Sequence, residues 1–264
     1  MKSGLIIYSD SDYRRNVWFV DKIINEFAKK DVSLLYIEEK DVLTYLNNSK
    51  VDFVIYRSRN WETVKQIEEM GIRCFNNSFT NHVSNDKSLT FELLNSNGVV
   101  CIHSFASLDG IKKFPCIMKS VDGHGGQEVF LINNKSEAKD ISLKYKKRFV
   151  YQEYYKNSGD LRLYLLGKKV VAGVLRQNNK DFRSNYSLGG QVSAFVPPDE
   201  IQRIAEKISQ IVDADFIGID FLINDGRYLV NEIEDPVGSR MLYKTSQIDI
   251  VNLFVSYICL KIAI

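Results

Sequence analysis

The first third of the chain alternates short apolar segments with amphipathic ones. Four apolar runs have the length of strands and lie at 4–8, 32–37, 52–56 and 72–75. Five apolar residues share one helical face between the first two runs: Val17, Val20, Ile23, Ile24 and Phe27. A further helix is predicted from Thr63 to Met70. Strands that alternate with helices indicate a parallel sheet, so we expect a small α/β domain over 1–84.

From residue 85 onward the pattern predicts mainly antiparallel strands. A helix capped by Ser84 and ended by Gly98 comes first. Strand patterns follow at 114–119, 128–132, 148–155, 161–176, 191–195 and 216–234, the last of them a hairpin. One helix is predicted after Pro197 and Pro198, and a final one begins near Ile248. We expect one α+β subdomain over 85–155 and a second over 156–264.

Composition and charge argue against several classes of function. Basic residues exceed acidic ones by only 35 − 33 = 2, a balance too even to recruit nucleic acid or an anionic membrane. The apolar run at the start is too short for a signal peptide, and Asp249, Asn252 and Lys261 interrupt the apolar C-terminal segment. The four cysteines lack metal-like spacing, so reduced thiols in a cytoplasmic protein are expected.

A glycine-rich loop lies between two predicted strands. It contains Gly123, Gly125 and Gly126, and Lys119 ends the preceding strand. Glycines let backbone amides approach anionic oxygens, and a nearby lysine adds a point charge. The loop lacks the Walker A pattern, and by itself it is also compatible with a plain flexible hairpin. The lysine favours phosphate binding.

The final hairpin carries three carboxylates. If residues 224–226 form a three-residue turn with Gly226 left-handed, Asp220 pairs with Val230. Asp220, Glu232 and Glu234 then project from one face of adjacent strands. Such a group either lies in water as a solvated acidic face or holds a hard cation, for which Mg²⁺ is the natural choice. A two-residue turn would break this register.

Two arginines occur in otherwise apolar strands. Arg162 and Arg176 in this setting require an anionic partner, which is either a carboxylate of the protein or a bound ligand. The chain thus has lysines before and beside a glycine-rich loop, acidic residues after the loop and arginines between them. Together these groups match what phosphoryl transfer needs: cations against the phosphates, a metal that bridges them and groups that position the acceptor.

The order of these segments resembles the ATP-grasp ligases, and most closely their RimK-type branch. The resemblance covers about 85 to 264, and the most specific match is the segment DFRSNYSLGG at 181–190. It implies an ATP-grasp fold, in which a small N-terminal parallel α/β domain precedes two α+β subdomains whose antiparallel sheets clasp ATP.

The resemblance also implies roles for individual residues. Lys87 and Lys119 would contact ATP phosphates beneath the glycine-rich flap, while the strand with Gln152, Glu153 and Tyr154 would read adenine. Asp160 would lie near the ribose, and Arg162 and Arg176 in the reaction centre. Arg183, Ser184 and Asn185 would lie near the phosphates, with Arg183 also catalytic. Asp220 and Glu232 would bind Mg²⁺ or Mn²⁺, as one or two ions.

The chain departs from the family pattern at the metal site. The family usually has Glu-x-Asn followed by a Pro-Gly turn, but Glu234 stands where the asparagine is expected. A second carboxylate can still ligate Mg²⁺, although it adds negative charge beside the phosphates. Arg240 is an additional cation in the changed turn.

The expected function is ATP-dependent, ADP-forming ligation of a carboxylate to an amine through an acylphosphate. The partners would be a carboxylate-bearing acceptor and an amine donor, each an amino acid, a peptide or a small molecule. A homodimer is expected from the resemblance alone. Two alternatives stay open: a catalytically silent ATP-binding regulatory module and a phosphotransferase on the same scaffold.

Overall fold

Three β-sheets form the framework of the protein in the computed structural model, which describes residues 2–126, 128–177 and 191–263. The first sheet is parallel, as predicted, and has the strand order β2-β1-β3-β4. Its strands are β1 (Ser3–Tyr8), β2 (Ser33–Glu38), β3 (Phe53–Tyr56) and β4 (Arg73–Phe75). The connecting elements are α1 (Asp10–Ala28), a 3₁₀ helix (Glu39–Asp41), α2 (Val42–Asn48) and α3 (Trp61–Glu69).

Helices cover both faces of this sheet because side chains alternate along its strands. Leu5 and Ile7 pack in one apolar cluster with α2 and α3. Ile6 and Tyr8 pack in another, with α1 and the C-terminal helix α9 (Ile250–Lys261). The apolar C-terminal segment is therefore a packed helix. Among the described helices, none has the length and apolar character needed to cross a membrane.

The helix predicted to start at Ser84 starts later. Two helices follow the first sheet, α4 (Ser78–Asn85) and α5 (Lys87–Ser96). Ser84 lies within α4, so the predicted cap was wrong. Asp86 caps α5 instead, since its extended backbone (φ −121°, ψ 106°) lets the carboxylate accept from the N–H groups of Ser88 and Leu89 at 2.9 and 3.1 Å.

The second sheet is antiparallel and holds the glycine-rich loop between two of its strands. It has the order β5-β8-β6-β7. Its strands are β5 (Ser104–Phe105), β6 (Cys116–Ser120), β7 (Val129–Ile132) and β8 (Phe149–Glu153). A 3₁₀ helix (Leu108–Gly110) and helix α6 (Lys135–Tyr145) connect them. Ala138 of α6 packs in one cluster with Cys116 and Met118, which covers one face of the sheet.

The third sheet is also antiparallel, in the order β11-β10-β9-β12-β13. Its strands are β9 (Gly159–Leu166), β10 (Lys169–Gln177), β11 (Gln191–Ala194), β12 (Phe216–Asn224) and β13 (Arg227–Glu234), and the helices nearby are α7 (Asp199–Ile211) and α8 (Arg240–Thr245). Leu161, Leu163 and Leu165 pack in one cluster with α5 and α7. Arg162 therefore projects from the opposite face, where the polar residues gather.

The turn of the last hairpin has two residues, so the three-residue turn predicted from the sequence was wrong. Asn224 pairs with Arg227. Asp225 and Gly226 both have positive φ, 47° and 76°, as a tight two-residue hairpin turn requires. Asp-Gly supplies that turn because both residues tolerate the left-handed region.

A buried asparagine ties the first sheet to the third. Asn76 follows β4, and its Oδ1 accepts from the N–H groups of Asp215 and Phe216 at 2.7 and 2.8 Å. Its Nδ2 donates to the Phe216 carbonyl and to Asp235 Oδ1, each at 2.8 Å. Arg73 Nη2 also donates to both oxygens of the Asp215 carboxylate, at 2.9 and 2.8 Å. These contacts set the position of the N-terminal sheet against β12.

We expect Asn76→Ala to lower the free energy of unfolding by about 3 kcal/mol or more, because each buried polar group left without a partner costs about 1–3 kcal/mol. Urea denaturation measures the change. Asn48→Ala is the control, since its amide bonds only a helix carbonyl at the surface and should cost less than about 0.5 kcal/mol. Equal losses in the two variants would contradict the bridging role of Asn76.

Candidate active site

A β-bulge brings the three predicted metal ligands together. Phe221 pairs with Val230 but Asp220 pairs with Glu232, so Asn231 is an extra residue in β13. Without the bulge, the two-residue turn would place Glu232 on the opposite face from Asp220. The extra residue returns Glu232 and Glu234 to the face that carries Asp220. Carboxylate oxygens of Asp220, Glu232 and Glu234 consequently lie within 4.8 Å of one another.

Two buried arginines hold two of these carboxylates, Asp220 and Glu234, in place. Arg162 donates from Nε and Nη2 to the two oxygens of Asp220, each at 2.7 Å, and from Nη2 to Glu234 Oε1 at 2.5 Å. Arg176 donates from Nη2 to Asp220 Oδ2 at 2.6 Å, and from Nε and Nη2 to the two oxygens of Asp160. The prediction that these arginines have anionic partners is therefore met by carboxylates of the protein itself. We call the five residues the ion-pair ladder.

Burial and charge act against each other on these carboxyl groups. Burial raises the pKa of Asp220, but Arg162 and Arg176 outweigh it and hold that pKa at about 2. Burial also raises the pKa of Glu234, and here the arginines only partly oppose it. Asp220 is therefore an ionised carboxylate at neutral pH, and both of its oxygens accept hydrogen bonds from the arginines.

A pocket lies between the second and third sheets, and the predicted nucleotide residues line it. Those lining residues are Lys87, Lys119, Gly123, Gly125, Gly126, Gln152, Glu153, Tyr154, Asp160 and Glu232. Ile102, Ile117, Val129 and Leu222 add apolar walls. Polar groups at one end and apolar walls at the other are the composition of a ligand site. We call it the nucleotide pocket.

Both predicted lysines point into the polar end of the nucleotide pocket. Lys119 is buried and donates to Asn231 Oδ1 at 2.8 Å. Lys87 donates to the Gly123 carbonyl, and its Nζ lies 3.7 Å from Glu232 Oε2. Burial lowers the pKa of Lys119 to about 8, and the charge of Glu232 opposes that shift. The lysines thus join the glycine-rich loop to the carboxylate group.

Residues of β8 and of the chain just after it line the opposite end. Gln152 is buried, and its Nε2 donates to Ser104 Oγ at 2.9 Å. Glu153 accepts from the Tyr155 hydroxyl at 2.9 Å, so its carboxylate is partly occupied. The three predicted residues Arg183, Ser184 and Asn185 lie outside the described part of the chain.

A second pocket adjoins the first and is rich in arginine. Six arginines line it, two of which belong to the ion-pair ladder: Arg15, Arg57, Arg59, Arg162, Arg176 and Arg240. His124 and Gly125 of the glycine-rich loop line both pockets, so the two pockets are neighbours on either side of this loop. We call this second site the arginine pocket.

Comparison with known proteins extends these observations. The profile of the RimK-like ATP-grasp domain matches residues 102–258, which is more than half of the chain. The chain belongs to the RimK-like ATP-grasp family.

Relatives and solved structures agree with this family. An uncharacterised Mycoplasma genitalium protein is 30% identical, with 91% of this chain and 86% of the relative aligned. A probable alpha-L-glutamate ligase of Maridesulfovibrio salexigens is 28% identical over 74% of this chain and 70% of that protein. D-alanine–D-alanine ligase from Bacillus anthracis, solved with ATP, shares the fold at a TM-score of 0.79 and 14% identity, covering 100% and 97% of the two chains.

The predictions of the family, the ATP-grasp fold and the ADP-forming carboxylate–amine ligase class are therefore confirmed. In this RimK-like ATP-grasp protein, Asn231 was not predicted as a site residue, because simple alternation places its side chain on the opposite face from its neighbour Glu232. The Asp-Gly turn at 225–226 was the available signal, since with a two-residue turn Asp220 and Glu232 share a face only if the strand pair contains a bulge. The arginines at 15, 57 and 59 gave no local signal.

We expect Lys119→Met to raise the Kd for Mg·ATP at least about tenfold, because a charge-assisted hydrogen bond contributes about 1.5–3 kcal/mol. Asn231→Ala should raise it less, since the amide only positions the ammonium. Isothermal titration calorimetry measures both, with the exposed Lys113→Met as the control. A larger effect of Asn231→Ala than of Lys119→Met would contradict this arrangement.

Proposed function

We propose that this protein activates a carboxylate with ATP in the nucleotide pocket and joins it to an amine. One observation carries the proposal: two lysines, a glycine-rich loop and three clustered carboxylates meet at the end of the nucleotide pocket that adjoins the arginine pocket. Phosphoryl transfer needs positive charge on the phosphates and a positioned acceptor, and these two pockets supply both.

The proposed nucleotide site divides along the pocket. Lys87, Lys119 and the amides near Gly125 would hold the phosphates. Gln152, Glu153 and Tyr154, together with the apolar walls, would receive the adenine. Both oxygens of Asp160 accept from Arg176, so we assign Asp160 the positioning of that arginine rather than a ribose contact. Roles for Arg183, Ser184 and Asn185 stay predictions.

The three clustered carboxylates fit one or two Mg²⁺ or Mn²⁺ ions. Glu232 and Glu234 Oε2 accept no hydrogen bond from the described residues, and Asp220 is held ionised. Free carboxylate oxygens in a close group are the ligands that Mg²⁺ prefers. Bound there, the metal would neutralise phosphate charge, while Arg162 and Arg176 keep Asp220 in place.

The proposed chemistry has two steps. An oxygen of the acceptor carboxylate attacks the γ-phosphorus of ATP, the bond to the bridging oxygen breaks, and ADP leaves with that electron pair. The amine nitrogen then attacks the carbonyl carbon of the acylphosphate, the carbon–oxygen bond to phosphate breaks, and the nitrogen loses a proton. Residues 123–126 of the glycine-rich loop line the nucleotide pocket, and His124 and Gly125 also line the arginine pocket, where the loop would exclude water from the acylphosphate.

The setting of this reaction follows from its reactants. ATP and four free, buried cysteines favour a cytoplasmic enzyme, which is our proposal. We also retain the subdomain boundaries 1–84, 85–155 and 156–264, each of which contains one of the three sheets. A homodimer stays a prediction.

The first test is ADP release from Mg·ATP with pooled amino acids as amine donors and mixed carboxylates and peptides as acceptors, followed by mass spectrometry. We expect ADP only when both substrates are present, with a product that contains one new amide bond. Asp220→Asn is the control and should abolish turnover. ADP release without any amine would indicate a phosphotransferase, and Mg·ATP binding without turnover would indicate a regulatory module.

A second test concerns the unusual third carboxylate. We expect Glu234→Asn to retain nucleotide binding and mainly to change the concentration of Mg²⁺ required, because Asp220 and Glu232 remain as ligands. Calorimetry with ADP across a Mg²⁺ series measures this effect. Complete loss of nucleotide affinity would show that Glu234 is essential rather than tolerated as a third ligand.

A further inference from the structure

One histidine of the glycine-rich loop lies where the two pockets meet. His124 lines the nucleotide pocket and the arginine pocket, and it also lines a polar cleft at the carboxyl ends of β1 and β3. Of the residues described at these three sites, His124 is the one that they all share. In the proposed reaction the acylphosphate forms between nucleotide and acceptor, so His124 stands beside the place where the amine attacks.

Amide formation requires a proton acceptor at that place. When the amine nitrogen attacks the carbonyl carbon, the nitrogen carries a positive charge until a base removes its proton. A positioned general base contributes about 10²–10⁴-fold to the rate of such a step. The base works best when its pKa lies near the working pH, and histidine meets this condition most often.

The surroundings of His124 keep its imidazole neutral. Partial burial lowers its pKa, and the positive charges of Arg59 and Lys87 lower it further, whereas the charge of Asp12 opposes them. Other charged groups that face the ring or share the polar cleft with it are Glu128, Arg15, Glu39 and Glu62. At neutral pH His124 is therefore in the form that can accept a proton.

One ring nitrogen of His124 already has a partner. Its N–H donates to the backbone carbonyl of Asp122, a contact that favours the protonated ring and partly opposes the lowering of the pKa. In a neutral imidazole, the nitrogen that carries no hydrogen has a lone pair that can accept one. The contact with Asp122 thus fixes one nitrogen as the donor and leaves the second as the acceptor.

The carboxylates and lysines at the same place are engaged elsewhere. Asp12 accepts from Arg59 at 2.7 Å, and both oxygens of Asp160 accept from Arg176. The three clustered carboxylates are the proposed metal ligands, and the two lysines would hold phosphates. Among the titratable groups described where the pockets meet, His124 is the one suited to take a proton from the amine.

We propose that His124 is the general base of amide formation, and that its second ring nitrogen accepts the proton that the amine loses. This inference rests on the proposed ligase function and adds a catalytic residue to it. The carbon–nitrogen bond forms, the carbon–oxygen bond to phosphate breaks, and phosphate leaves with that electron pair. His124 is exposed, so the imidazolium then returns its proton to water.

The test compares full-length wild-type and His124→Gln proteins, with the amine and acceptor that yield an amide in the ADP-release assay. We expect the substitution to lower kcat for amide formation about 100-fold or more. Mg·ADP binding and trapping of the acylphosphate by hydroxylamine should be nearly unchanged. Hydroxylamine is a strong nucleophile that is uncharged at neutral pH, so its attack depends little on a base. His82→Gln is the matched control, because His82 lies in α4 and stacks on Trp61.

Two readouts separate a general base from a residue that only shapes the loop. In the wild-type protein, the rate per unprotonated amine should fall as the pH drops through the pKa of His124, which lies below the ordinary value of 6.5. His124→Gln should lack this dependence. Free imidazole in the buffer should restore part of the rate to His124→Ala. A residue that only shapes the loop would show neither effect, and that result would overturn the inference.

The two proposals fail in different ways. Amide formation by His124→Gln at the wild-type rate would remove the general base and leave the ligase function in place. Equal losses of hydroxylamine trapping and of amide formation would place the role of His124 before the attack of the amine, and would also overturn the inference. No amide from the wild-type protein with any pooled pair would remove the ligase proposal, and the role of His124 with it.

Discussion

The candidate site depends on one buried arrangement of opposite charges across three strands. Asp160, Arg162, Arg176 and Asp220 alternate in sign on one face of β9, β10 and β12, and all four are more than nine-tenths buried. Removing one partner from such a group leaves a buried charge without a counterion, which lowers the free energy of unfolding by about 3–5 kcal/mol. The arginines thus make it possible for carboxylates to gather beside the proposed phosphate site, where like charges would otherwise repel.

The same ladder connects the two pockets. Asp160 lines the nucleotide pocket, Arg162 lines the arginine pocket, and hydrogen bonds through Asp220 and Arg176 join them. Arg57 and Arg59 of the arginine pocket follow β3 of the first sheet, whose position against β12 is set by Asn76 and Arg73. The geometry between the two pockets therefore depends on contacts made outside both of them.

Much of the fold could be predicted from the sequence because its signals are local. The parallel N-terminal sheet, the glycine-rich loop between β6 and β7, and the helix after Pro198 follow from periodicity and turn residues. The face shared by Asp220 and Glu232 was also predicted, but through a three-residue turn that does not exist. A two-residue turn and a bulge at Asn231 together give the same face. The α5 cap was misplaced because Ser84 and Asp86 are both good capping residues and only tertiary packing selects between them.

The residues proposed to carry the chemistry could be named from the sequence alone: the lysines at 87 and 119, the glycines that follow them, the carboxylates of the last hairpin, and the segment order that marks an ATP-grasp chain. Local pattern suffices there, since strands and glycine-rich turns are encoded over a few residues. Only the tertiary structure decided what those groups face. Arg57 lies 105 residues before Arg162 in the chain, and no periodicity relates them. Their meeting in one pocket depends on how the N-terminal sheet docks on β12, which is set by packing and buried hydrogen bonds between distant segments.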